Sequence, residues 1–138
     1  MKNNSLAADY LARSGNRLAA LEVLAARKSW ADVVREAQEV VELLLKAALR
    51  LSGIEVPRLH DVSRILEEER ELFPKPLQPN IARLGAISRE LRRDRELAFY
   101  GSEDLTPSDF YREEDGLKAL ESARWVYSVI MGAFKQDE

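Results

Sequence analysis

Residues 29–51 carry an unbroken helical stripe, and that stripe limits what the rest of the chain can be. Trp30, Val33, Val34, Ala37, Val41, Leu44, Leu45 and Ala48 recur at the i, i+3, i+4, i+7 spacing. Glu36, Glu39, Glu42 and Arg35 lie off the stripe. Ser29 stands in the N-cap position and Asp32 in the first turn, where the helix dipole favours a negative charge. Gly53 follows as a stop signal. An apolar face of this length must be covered by other helices.

The flanking sequence supplies them. A first helix is expected over about 5–27, with Asn3, Asn4 or Ser5 as cap and Leu6, Tyr10, Ser14, Leu21 and Leu24 at helical spacing. Gly15 lies inside it and costs up to about 1 kcal/mol against Ala, so close helix packing is expected there. A third, shorter helix runs from His60 or Asp61 to Leu72, with Val62, Ile65, Leu66 and Leu72 turned inward. Pro74, Pro76 and Pro79 make residues 73–79 non-helical. A fourth helix spans about 80–99 and ends near Gly101. After an acidic loop over 101–114, a last helix covers about 115–134, with Leu117, Leu120, Tyr127, Ile130, Met131 and Phe134 mostly on one side. No strand alternation or internal repeat is found. The expected fold is an all-α, up-and-down bundle of about five helices, one domain over 1–138.

Composition narrows the function classes. The chain of 138 residues is 46% hydrophobic and 33% charged, an ordinary globular balance. No apolar run approaches the roughly 20 residues of a membrane span, and the N-terminal stretch lacks a secretory pattern. With no cysteine, disulfides and thiolate metal sites are excluded, and a cytoplasmic location is expected. His60 is the single histidine and cannot make a usual zinc site alone. At the start of helix three its plainest role is capping or helix contact. No G-x-S-x-G nucleophile motif and no Gly-rich phosphate loop occurs. Glu67, Glu68 and Glu69 point in different directions on a helix and read as a solvated face. Trp30 and Trp125 fit core positions, and Glu42 with Lys46 forms an i, i+4 pair. No metal or cofactor is implied.

The formal net charge of −3 hides an uneven distribution. Residues 83–95 hold five arginines and two acids, a balance of +3; residues 101–138 hold four basic and nine acidic residues, a balance of −5. With Leu84 at zero on a helical wheel, Ile87, Leu91 and Ala98 fall at about 300°, 340° and 320°, and Arg95 at about 20°. A guanidinium on an inward stripe is costly unless it is paired or faces a cavity or interface. Arg92 and Arg93 point elsewhere, at about 80° and 180°, and Tyr100 lies at about 160°. In one reading Arg95 pairs with Glu39 or Glu42, while Arg89, Arg92 and Arg93 form a solvated face against the acidic segment. In the other, Arg95 and Tyr100 line a phosphate-facing cleft, with Arg supplying a planar charged fork and Tyr a stacking face.

Several segments taken together resemble the HEPN family, named for higher eukaryotes and prokaryotes nucleotide-binding. They are Ala8-Asp9-Tyr10-Leu11-Ala12-Arg13-Ser14 in helix one, Trp30 to Ala47 in helix two, Leu59-His60-Asp61, and Arg95-Glu96-Leu97-Ala98-Phe99-Tyr100-Gly101. Members of the family carry an A-x-x-A-x-E-x-x-x-K-A second helix, an H-D/H-x-L start to the third and an Arg-containing end of the fourth, which these segments resemble. The resemblance covers nearly the whole chain. It implies a bundle of about five helices, a homodimer, and partnership with a minimal nucleotidyltransferase in a toxin–antitoxin-like pair. Many family toxins are metal-independent ribonucleases whose R-x4–6-H site is assembled from both protomers.

This sequence departs from that pattern: no histidine follows Arg93 or Arg95. The window holds Tyr100 and Gly101, as in a branch with R-x-x-A-x-Y-G. The general acid/base is missing, and Tyr, with an unperturbed pKa of about 10, is a poor substitute. The expectation is therefore a nucleotide- or RNA-associated module binding through Arg92, Arg93, Arg95 and Tyr100. A non-catalytic interaction or dimerisation protein is the alternative. A ribonuclease using Arg95, with Tyr100 as a second candidate catalytic residue, comes third.

Overall fold

The computed structural model describes residues 2–56, 62–100 and 106–134, with side chains over 4–56, 62–93 and 106–134. Six α-helices follow in order: α1 (Lys2–Ala26), α2 (Trp30–Leu51), α3 (Val62–Glu68), α4 (Ile81–Tyr100), α5 (Pro107–Phe110) and α6 (Glu113–Ala133). No strand occurs among the described residues.

Helix α2 is the hub, packed by α1, α4 and α6. The expected stripe is buried from Val33 to Ala48, and Ala31, Val40, Ala47 and Leu49 are buried on other sides of the same helix. Burial on so many sides is what a helix enclosed by three neighbours requires. α1 lies antiparallel to it, with Arg17 bonded to Glu36 at 2.8 Å and the Arg50 guanidinium 5.8 Å from the Tyr10 ring centre. α6 crosses α1 at Gly15, where an added Cβ would stand 3.2 Å from the Tyr127 hydroxyl; the glycine admits the close packing its position implied. Farther along, Arg124 bonds Glu22 through two nitrogens, Nε at 2.6 Å. That pair is exposed and screened, so it orients α6 more than it stabilises the bundle.

Both ends of the α1–α2 hairpin use the same device. At the end of α1, Ser29 N–H donates to Leu24 O and Lys28 N–H to Ala25 O, each at 3.0 Å. At the end of α2, Ile54 N–H donates to Leu49 O and Gly53 N–H to Arg50 O. These are the paired bonds of a Schellman ending, which needs a left-handed residue. Gly53 supplies it at φ 75°, while Lys28 does so as a non-glycine at φ 60°.

The structure corrects several expectations. Leu72 is 56% exposed because α3 ends at Glu68 and a 3₁₀ turn over Arg70–Leu72 swings it outward. The proline segment closes in a second 3₁₀ turn, Gln78–Asn80, where Pro79 stands in the first turn and loses no needed donor. The acidic loop contains α5, capped by Thr106, whose side chain accepts from Asp109 N–H. α6 starts earlier than expected, at Glu113, because Asp115 Oδ2 accepts from Arg112 N–H at 2.9 Å and caps the first turn from within. Leu117 and Met131 are exposed, since Ala119, Ala123, Val126 and Ile130 centre the buried face of α6 away from them. Ser29 occupies the N-cap position of α2, yet its hydroxyl donates to Asp32 and not to the backbone. Trp30 and Trp125 are partly buried against the core and not within it.

Trp30 rests on Gly116 of α6. A Cβ there would lie 3.0 Å from Trp30 Cδ2 and closer still to Cε3. Gly116→Ala is therefore expected to lower stability by about 1–3 kcal/mol, although alanine is the better helix former. Thermal unfolding checks this. Lys28→Gly is expected to act oppositely, raising stability by up to about 1 kcal/mol in urea titrations by relieving a left-handed lysine.

Candidate functional site

The five arginines of α4 do not form one solvated face. Arg83 lies over the Trp125 ring of α6 at 3.8 Å, a cation–π contact. Arg89 faces Glu67 of α3 at 3.9 Å. Arg92 is half-buried and close enough to Glu42 of α2 to lower that carboxyl's pKa. Arg93, exposed, reaches a groove between α4 and α6. Arg95 and Tyr100 belong to the last turns of α4, and their side chains lie outside the described residues, as does His60. The described part of the apolar stripe of α4, Leu84, Ile87 and Leu91, is buried as expected.

Glu42 of α2 lies within electrostatic reach of the basic helix. Gln38 Nε2 donates to Glu42 Oε2 at 2.5 Å and Lys46 Nζ stands 3.2 Å from Oε1. Burial is the largest influence on Glu42 and pushes its pKa up. The Gln38 hydrogen bond, the charge and hydrogen bond of Lys46 and the charge of Arg92 together outweigh it and hold the carboxyl below its ordinary value. Glu42 thus stays ionised beneath α4 and favours a guanidinium above it. Glu42, one of the two acids expected to pair with Arg95, lies within electrostatic reach of Arg92, while the Arg95 side chain lies outside the described residues.

The groove has a volume of about 240 Å³. Its floor is apolar: Val34 from α2, Ile87 and Leu91 from α4, and Ala119 from α6. Its rim is polar, with Glu90 and Arg93 on α4, Asp115, Lys118 and Ser122 on α6, and Tyr111 just before α6. Lys118 Nζ bonds Glu90 Oε1 across the opening at 2.9 Å. Sequence reasoning missed this groove. It assigned bases to α4 and acids to the C-terminal third, whereas in the Glu90–Lys118 pair α4 gives the acid and α6 the base. Only the antiparallel pairing of α4 and α6, fixed by Arg83 on Trp125 and Glu90 on Lys118, brings these positions together.

No cluster of three or more His, Asp or Glu placed to hold a metal occurs among the described residues. No helix among them is long and apolar enough to cross a membrane.

Because Glu42 is depressed in the folded chain, its contribution to stability is fully present above its unfolded pKa and is lost as pH falls through the lower, folded value. Glu42→Gln is expected to flatten that acid limb. Urea unfolding of both proteins between pH 7 and pH 3 measures it; parallel curves would show that the carboxylate contributes nothing.

A family model for the HEPN domain matches residues 7–133. Comparison with curated proteins and with solved structures gives no match.

Proposed function

Because this chain belongs to the HEPN domain family, we propose that it is an RNA-binding member that holds phosphates on α4 and does not cleave them. The observation that carries the reading is the division of labour along one helix. Arg92 is backed by the ionised Glu42 of α2, while the next residue, Arg93, is exposed on another side of α4. Arg95 and Tyr100 follow within two turns in the sequence, and guanidinium with a nearby aromatic residue is the chemistry that suits a phosphate and a stacked base. The formal charge of the whole chain is a poor guide to such a surface, because only the local balance faces a phosphate.

Binding without cleavage follows from the sequence after the arginines. A ribonuclease of this family type needs a histidine there as general acid/base, and Ala98, Phe99, Tyr100 and Gly101 stand in its place. The same reading includes a homodimer, in which the α4 ends of two protomers share one cleft, and a minimal nucleotidyltransferase as partner in a toxin–antitoxin-like pair. Both come from the family resemblance, and a cytoplasmic location accompanies them.

The test is fluorescence anisotropy with a single-stranded RNA of about twenty nucleotides over a salt series. Affinity is expected at low salt and to fall steeply as salt rises. Replacing Arg92, Arg93 and Arg95 together by Ala is expected to abolish most of it and to reduce the salt slope by roughly two, at about 0.7 per lost contact. The RNA should remain intact after long incubation. No affinity at low salt would overturn the reading and favour a protein-interaction module; cleavage that Arg95→Ala abolishes would restore the ribonuclease.

A further inference from the structure

We propose that Arg83 and Trp125 form a second RNA contact, a platform at the start of α4 on which one nucleobase stacks. The proposal rests on the RNA reading above and lengthens its footprint along the helix.

The geometry is that of a stack. The Arg83 guanidinium carbon stands 3.8 Å from the Trp125 ring centre. At that distance carbon atoms are in van der Waals contact and no nitrogen fits between them, so the guanidinium lies along the ring face. Trp125 is partly buried against the core, whereas Arg83 is exposed. One face of the guanidinium is therefore covered by indole and the other is turned to water. A planar cation fixed on an aromatic ring is a surface on which an unstacked base can lie. Its N–H edge stays available to the adjoining phosphate, so one nucleotide can use both.

Helix electrostatics do not account for a cation at this position. Arg83 is the third residue of α4, and the first turn contains no acid. The positive end of the helix dipole opposes a guanidinium there. Among the described residues no ion pair holds Arg83. Its neighbours on the outer side of the helix, Ala82 and Ala86, are exposed, uncharged and too short to cover the guanidinium. The next acid along the helix, Glu90, is bonded to Lys118 at 2.9 Å. From Arg83 to Arg93 the helix advances about 15 Å. At the stacked spacing of about 3.4 Å that is about four nucleotides of one strand.

The fluorescence of 2-aminopurine reads base stacking directly. The probe is a single-stranded RNA of about twelve nucleotides, longer than this span, with 2-aminopurine in place of adenine. Binding to the unaltered full chain is expected to quench it. Arg83→Lys keeps the charge and loses the plane. It is expected to remove more than half of the quench at saturation, to weaken binding about five- to tenfold, and to leave the salt dependence unchanged. Arg83→Gln is expected to lose the same quench and also to lower the salt slope by about 0.7. Thermal unfolding establishes that both variants fold. Arg83→Lys binding and quenching like the unaltered chain would overturn the proposal. So would weaker binding with the full quench retained at saturation, which is what a merely structural Arg83 produces. If the unaltered chain binds no RNA, the RNA reading and the platform fall together. If binding depends on Arg92, Arg93 and Arg95 but not on Arg83, the platform falls alone.

Discussion

The enclosure of α2 is the constraint on which the rest of the molecule depends. Three helices pack on it, and its buried residues, from Ala31 to Leu49, occupy more of its circumference than any single partner can cover. Removing one neighbour would expose Val and Leu side chains along its length, so the bundle is closed by necessity. The polar residues that α2 does carry are therefore placed with little freedom. Gln38 is buried and Glu42 half-buried, and each is held by another residue of the same helix before α4 arrives. The charge presented to α4 is in this sense prepared by α2 alone, through an i, i+4 row of Gln38, Glu42 and Lys46.

That preparation explains why an arginine-rich helix can pack against a hydrophobic bundle. Each described arginine of α4 has a different solution: an aromatic face for Arg83, an acid of α3 for Arg89, the α2 carboxylate for Arg92, and the groove rim for Arg93. A helix with one undivided basic face would repel itself and gain nothing from its neighbours. Dispersing the guanidiniums over several directions lets the apolar stripe of Leu84, Ile87 and Leu91 seat in the core. The function proposed for α4 and its packing are thus two uses of the same angular distribution.

Much of this was legible in the sequence because it is periodic. The α2 stripe, the inward face of α4, the Glu42–Lys46 pair and the close approach at Gly15 follow from spacing and residue size, and the structure contains each of them. What was not legible depends on elements far apart in the chain. Leu117 and Met131 keep a helical spacing that fits an apolar face, but α1 and α2 take the neighbouring face of α6. The α4–α6 groove was invisible for the same reason. It joins Glu90 to Lys118 against the charge trend of both segments, and a net balance over a window has no angular information. Lys28 shows the limit at the local scale. A left-handed residue is usually glycine, and no rule of composition would place a lysine there.

The short link between α1 and α2 also bears on the order in which the bundle assembles. Only Arg27, Lys28 and Ser29 separate the two helices, so bringing them together closes a very small loop, and the entropy lost on closure is correspondingly low. Contacts such as Arg17–Glu36 join residues 19 apart, whereas Arg124–Glu22 joins residues 102 apart. The hairpin is therefore the part of the chain able to form early. α6 reaches α1 only by closing a loop of about the whole chain, at a larger entropy cost than the hairpin's.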